Sequence, residues 1–290
     1  MEKTRIRHAA KFAKAAYVVG QQGLSERGIE EADALVADTG FRLDPGLSGA
    51  NISTFRNAST GAYHIAHKGT QVGASTGLSD LIADAYFAEG RNTAHVKSRL
   101  TATERIIDRI DPAATVTMSG HSLGGHTASY ALANSDKVME RVSALDTFDA
   151  ASNPIFGAGL SVSDQRRAAL DAKVTHHRMN ADVVSKGQRW SVPFGQAVTY
   201  KLDSKGMGTV ERALYAHDID HFSDGELVVK GEKRAPEPEP EPPPAPEPTL
   251  HTTIRDTVAS GNTSAPYVDA GSLCRQYPQL AECKAIGNRG

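Results

Sequence analysis

Residues 115–133 read TVTMSGHSLGGHTASYALA. Thr115–Ser119 is a β-rich run, and Gly124–Ala133 is a stretch of small and helix-tolerant residues with no breaker, so a strand gives way to a helix across five residues. Those five are Gly120-His121-Ser122-Leu123-Gly124, a G-x-S-x-G pattern. Glycine is common in this chain, 26 of 290 residues, so the pattern alone says little. Its place between a strand and a helix says more. The turn must be sharp, and it lifts the Ser122 hydroxyl above the sheet edge. Gly120 and Gly124 give neighbouring backbones room to approach, with His121 between Gly120 and the nucleophile. Ser122 also stands at a helix N-terminus, where free N–H groups favour developing negative charge. Leu123, the residue after the nucleophile, offers one such N–H.

The surrounding chain alternates strand and helix. Ala62–His67, Val142–Leu145 and Val174–Met179 read as strands. Asn92–Ile110 carries Val96, Leu100, Ile106, Ile107 and Ile110 at helical spacing. This alternation predicts an α/β fold, with a mostly parallel central sheet flanked by helices on both faces. The charged N-terminal stretch, with Ile6, Phe12, Tyr17 and Val18, predicts an amphipathic first helix packed on the domain.

A serine hydroxyl needs a base, and the base needs an orienting acid. With a nucleophile elbow, the acid and then the histidine follow the serine in chain order. Beyond the 170s the histidines are His217, His221 and His251. His251 lies past a proline-rich stretch, which leaves His217 and His221. Four residues apart, they share a face in a helix and diverge in a loop. Asp182, just after the 174–179 strand, is the leading acid, with Asp146 and Asp149 behind it. His176-His177 has the composition of a metal pair, but adjacent strand residues point to opposite faces, so no metal is expected.

Composition sets outer limits. Net charge is −2, which gives no general attraction for nucleic acid or anionic membrane. No run approaches the roughly 20 apolar residues of a membrane span. No unbroken apolar segment follows the N-terminal basic residues, so no signal peptide is expected, and the protein is placed in the cytoplasm or within a larger particle. Eight of the fourteen residues Ala235–Pro248 are proline. Proline fixes φ and removes donors, so this reads as a stiff spacer. Three segments result: a main domain at 1–230, a Pro/Glu-rich linker at 231–250 and a short C-terminal tail at 251–290. The tail is disordered, docked elsewhere, or an interaction module for a protein partner. Cys274 and Cys283 both fall in it, and spacing leaves open whether they pair.

Over residues 60–222 the chain resembles the class 3 lipases and their bacterial and viral relatives, which have the α/β-hydrolase fold. Gly-His-Ser-Leu-Gly-Gly at 120–125 is the elbow form of that family. His67-Lys68-Gly69-Thr70 looks like its (F/Y)-R-G-(S/T) segment, which implies that Thr70 is an oxyanion donor. Ser79–Asp84 is similar to the stretch after the family's lid. Asn180-Ala181-Asp182-Val183-Val184 is similar to the neighbourhood of its acid. The family's H-x-I-x-x-F pattern fits His217 and Phe222, and favours His217 over His221. Lys68 replaces an arginine and Leu81 a tryptophan. The stretch 71–79 is short and rich in small residues, so a long apolar lid is absent and soluble or dispersed esters are expected among the substrates.

The resemblance implies a serine hydrolase of lipid or acyl esters. Ser122 is the nucleophile, His217 the base and Asp182 the acid, while Thr70 and Leu123 hold the oxyanion. It needs no cofactor, and it implies transient contact with a lipid surface. The same residues would serve a thioesterase, peptidase or acyltransferase. A non-catalytic scaffold presenting its tail on the spacer is the alternative from another class.

Overall fold

The computed structural model describes residues 2–70, 93–151, 163–182, 184–185, 194–202, 206–224 and 233–234. The short small-residue stretch 71–79 and the stretch 79–84 likened to the segment after the family's lid lie outside the described residues, as do 235–250, the tail and both cysteines.

In chain order the described helices are α1 (Glu2–Gln22), α2 (Glu26–Val36), α3 (Thr93–Arg109), α4 (Leu123–Asn134), α5 (Asp136–Arg141), α6 (Asp164–Lys173), α7 (Thr209–Ala216) and α8 (Asp220–Ser223), with a 3₁₀ turn at Ala37–Thr39. The strands are β1 (Phe41–Leu43), β2 (Ile52–Asn57), β3 (Tyr63–His67), β4 (Val116–His121), β5 (Val142–Phe148), β6 (Val174–Met179), β7 (Gln196–Tyr200) and β8 (Lys233–Arg234). They form one sheet in sequential order. Strands β3 to β7 run parallel, and β1, β2 and β8 add antiparallel edges. Parallel neighbours need crossovers, and α3 and α6 supply two of them. This is the mixed sheet with flanking helices of an α/β-hydrolase fold. Within the stretch expected as linker, Lys233 and Arg234 pair with Val198 and Ala197 of β7.

The central strands are buried on both faces, as parallel strands must be when helices cover both sides. All five residues of β3 are buried. On one face Ile65, Val116, Met118 and Leu145 pack against Ile106, Ile107 and Leu132 of α3 and α4. On the other face lies α1. Its Ala9, Ala10 and Ala13 meet Phe148, Tyr200 and Phe222, while Phe12, Ala15, Ala16 and Val19 meet Phe55 and Ala66. Small side chains let this 21-residue helix lie close to the sheet. Lys14 then pairs with Asp220 at 2.9 Å and Asp224 at 2.7 Å, tying α1 to α8. Ser25, Ser135 and Ser163 cap α2, α5 and α6 by accepting the backbone N–H three residues on.

The space under α1 is partly polar. His64 bonds Thr117 and Ser119 at 2.8 Å each, and Phe12 stacks on its ring. Asp146 accepts from Arg5 at 2.5 Å and His177 at 2.9 Å. His176 bonds Thr147 and the Phe194 carbonyl. The two adjacent histidines therefore satisfy different partners on opposite faces of β6, as period-two geometry requires.

Candidate active site

Strand β4 ends at His121 and helix α4 begins at Leu123, so Ser122 alone makes the turn. It does so at φ 55°, ψ −128°, a positive-φ conformation that non-glycine residues rarely adopt. Close backbone approach explains the flanking glycines. A Cβ on Gly120 would lie 2.5 Å from the Gly124 carbonyl, and one on Gly124 would lie 2.1 Å from the His67 carbonyl oxygen. Helix α4 can enter between β3 and β4 only because neither position carries a side chain.

His217 follows α7 and faces this turn. Its Nε2 is 2.9 Å from Ser122 Oγ, and its Nδ1 is 2.9 Å from Asp182 Oδ1. A carboxylate can only accept, so Nδ1 carries the proton and the bare Nε2 receives the serine O–H. Asp182 is fully buried, and its carboxylate also accepts the Val184 and Ser185 N–H groups at 3.1 and 2.6 Å. Burial pushes its pKa up, but the hydrogen bonds from His217 and Ser185 outweigh burial and hold it below the usual carboxylate range. The acid is therefore ionised at neutral pH, as an orienter of imidazole must be.

The other candidates stand elsewhere. His221 lies on α8, where its Nε2 donates to the Tyr215 carbonyl at 2.6 Å. Asp146 lies under α1 with Arg5 and His177. Asp149 is adjacent to the site: its carboxylate, that of Asp182 and the His217 ring bring one oxygen or nitrogen each within 4.8 Å of one another. Asp149 Oδ1 accepts the Met179 N–H at 2.7 Å and the Ser185 hydroxyl at 3.3 Å, while Oδ2 is buried with no partner among the described residues. Burial, and then the charge of Asp182, raise its pKa well above the usual range. The two neighbouring carboxyls are thus shifted in opposite directions, Asp182 down and Asp149 up. Asp182 and His217 already spend their facing atoms on each other.

Of the two residues expected to hold an oxyanion, Leu123 opens α4 directly after Ser122. Thr70 follows Gly69, whose Cα faces the serine closely enough that a Cβ there would lie 3.1 Å from Ser122 Cβ.

Sequence reasoning missed Tyr17, whose hydroxyl is 2.8 Å from His121 Nδ1, and Arg99, which donates to the Lys68 carbonyl. Both sit within helical patterns and carry no motif, so only folding reveals their position.

No protein-family model matches the chain. No curated relative matches it either. Solved structures do resemble it. Lipase II from Rhizopus niveus is 13% identical over 72% of this chain and 83% of its own, with a TM-score of 0.38. A lipase from Rhizopus microsporus var. chinensis is 16% identical over 69% and 74%, with a TM-score of 0.36. MDLA from Penicillium cyclopium, in a mutant form, is 14% identical over 72% and 83%, with a TM-score of 0.41. These three are fungal lipases and give no support to a bacterial or viral branch in particular. At such scores the chemistry of the site rests on its own geometry.

Proposed function

We propose that this protein is a serine hydrolase of lipid or acyl esters working through an acyl-enzyme. One observation carries the reading: a strained Ser122 whose Oγ meets a histidine held in the right tautomer by a buried, ionised aspartate. A surface serine has no reason to occupy such an arrangement.

Ser122 Oγ attacks the ester carbonyl carbon as its proton moves to His217 Nε2. The carbonyl π pair moves onto oxygen. The backbone N–H groups of Leu123 and Thr70 receive that oxyanion; one such donor is typically worth about 3–4 kcal/mol of transition-state stabilisation. Asp182 stabilises the imidazolium through Nδ1–H. The tetrahedral intermediate collapses, the alcohol leaves with the proton from Nε2, and the acyl group stays on Oγ. Water then adds with His217 again as base, Oγ leaves and is reprotonated, and the free acid departs. Every proton shuttles on one imidazole, and no step calls for a metal or organic cofactor.

A fluorophosphonate probe tests this. It should modify Ser122, located by peptide mapping, and Ser122→Ala should abolish labelling. Ser122→Ala should also reduce hydrolysis of p-nitrophenyl butyrate by up to about a million-fold, since triad members act as a unit. Undiminished hydrolysis by a Ser122→Ala preparation free of host esterases would remove the reading.

A further inference from the structure

The peptide unit joining Lys68 to Gly69 is gripped at both ends. Its carbonyl accepts from the Arg99 guanidinium of α3, and the Tyr17 hydroxyl of α1 lies hard against Gly69. The same hydroxyl lies 2.8 Å from His121 Nδ1, and His121 Nε2 lies 2.9 Å from the backbone carbonyl of His217. The protons in this chain are fixed by elimination. A carbonyl only accepts, so His121 Nε2 carries the hydrogen. Burial keeps the His121 ring neutral, so its Nδ1 is bare and Tyr17 must donate to it. The result is a one-way series that starts against Gly69: Tyr17 O–H to His121, His121 N–H to the His217 carbonyl.

The fit leaves no slack. A Cβ on Gly69 would lie 2.1 Å from Tyr17 Oη and 2.7 Å from the His121 carbonyl oxygen. Arg99 is itself buried, and it also donates to Thr127 Oγ1 and Asn51 Oδ1 at 3.3 Å each. Its partners among the described residues are neutral oxygens, so the guanidinium serves here as a rigid fork of donors.

We propose that Tyr17 and Arg99 are positioning residues that clamp the 68–69 peptide, thereby aiming the Thr70 N–H at the oxyanion and, through His121, setting that loop in register with His217. The inference rests on the serine-hydrolase reading above. Neither residue touches the reacting atoms. Their effect is preorganisation: oxyanion donors and base are placed before the charge develops, where a displacement near 1 Å costs about a hundredfold in rate.

The test compares Tyr17→Phe, Arg99→Gln and the double variant with the unmodified chain. For each, kcat and KM on p-nitrophenyl butyrate are measured, with active sites counted by exhaustive fluorophosphonate labelling. Tyr17→Phe keeps the ring and removes one hydroxyl. We expect kcat per labelled site to fall about 10- to 100-fold with KM within about twofold, and affinity for an alkyl boronic acid, which forms a tetrahedral adduct, to fall in parallel. A purely structural role would instead lower the number of labelled sites while leaving turnover per site intact. Because both residues hold one peptide, the double variant should lose much less than the product of the single losses. Hydrogen exchange at Gly69 provides a readout independent of catalysis, and it should accelerate at least about tenfold in Tyr17→Phe. If the unmodified chain neither labels nor hydrolyses, the functional reading fails while the exchange result still judges the clamp. Unchanged exchange at Gly69, unchanged turnover per site in Tyr17→Phe, or fully multiplicative losses would each overturn the proposal.

Discussion

Asp149→Asn isolates a buried carboxyl of raised pKa beside Asp182. The substitution is nearly isosteric. The amide oxygen can keep the Met179 N–H at 2.7 Å and the Ser185 hydroxyl at 3.3 Å, and the amide nitrogen takes the place of the unpartnered Oδ2. The two proteins differ chiefly in one titrating proton. An unfolded aspartate ionises near about pH 3.9. The native Asp149 carboxyl has its pKa raised, first by burial and then by Asp182. Below the unfolded value both states hold the proton, and stability does not depend on it. Above it the unfolded chain releases the proton and the native state keeps it. The contribution of Asp149 to the stability of the unmodified protein therefore falls as pH rises, by up to about 1.4 kcal/mol per pH unit, until the native carboxyl itself ionises. The amide of the variant does not titrate and carries no such penalty. Asp182, with its lowered pKa, contributes stability above the unfolded value that is lost as pH falls, but it does so in both proteins and cancels. Urea unfolding of the pair from about pH 3.5 to about pH 8 measures the difference. The curves should meet near the acid end and diverge upward, with the variant more stable. A gap that is constant with pH, or that favours the unmodified chain more as pH rises, would refute the assignment of a retained proton.

Three further outcomes are expected. Gly124→Ala places a Cβ 2.1 Å from the His67 carbonyl oxygen, with backbone on both sides, so α4 and β3 must separate by about an ångström; chemical denaturation should show a loss of about 1–3 kcal/mol, and ester turnover should fall about a hundredfold. Leu132→Ala empties a fully buried position between α4 and the sheet and should lower unfolding free energy by about 2–5 kcal/mol, with turnover per active site unchanged. His217→Ala and His221→Ala, assayed on a short-chain ester with circular dichroism as the folding control, should differ sharply: the first inactive and folded, the second within a few-fold of normal, because His221 bonds the Tyr215 carbonyl. A folded His217→Ala protein with near-normal turnover would reverse the assignment of the base.

The local features of this molecule were legible in its sequence. Residues 115–133 specify strand, turn and helix through backbone propensity alone, and β4 and α4 fall where those propensities change. The span 174–179 reads as a strand from its β-branched and alternating residues, and it is β6. Helix α3 follows from apolar residues at helical spacing. The edges were not legible. Ile52–Asn57 and Gln196–Tyr200 are short and mixed in character, and they become strands only because a neighbour supplies the hydrogen bonds. Lys233–Arg234 adjoin a proline-rich stretch and still pair with β7.

The site divides the same way. A serine in a glycine-framed turn is a local fact, since the glycines are demanded by sterics within a few residues. Which aspartate faces which histidine is not. Asp146, Asp149 and Asp182 all stand near the C-terminal ends of strands, and nothing local separates them. Parallel pairing of β5 and β6 places Asp182 at the His217 ring, gives Asp146 to Arg5 and His177, and leaves Asp149 buried beside the pair with its pKa raised. Tyr17 lies 104 residues from the His121 it bonds. A hydrogen bond between groups so distant along the chain has no trace in periodicity or composition, because it exists only once α1 has docked across the sheet. The sequence by itself determined the glycine-framed turn at Ser122 and the class of fold, which depend on neighbours in the chain. Tertiary structure alone decided the partners of each ionisable side chain, because charge state and hydrogen bonding depend on burial and on contacts that chain order does not encode.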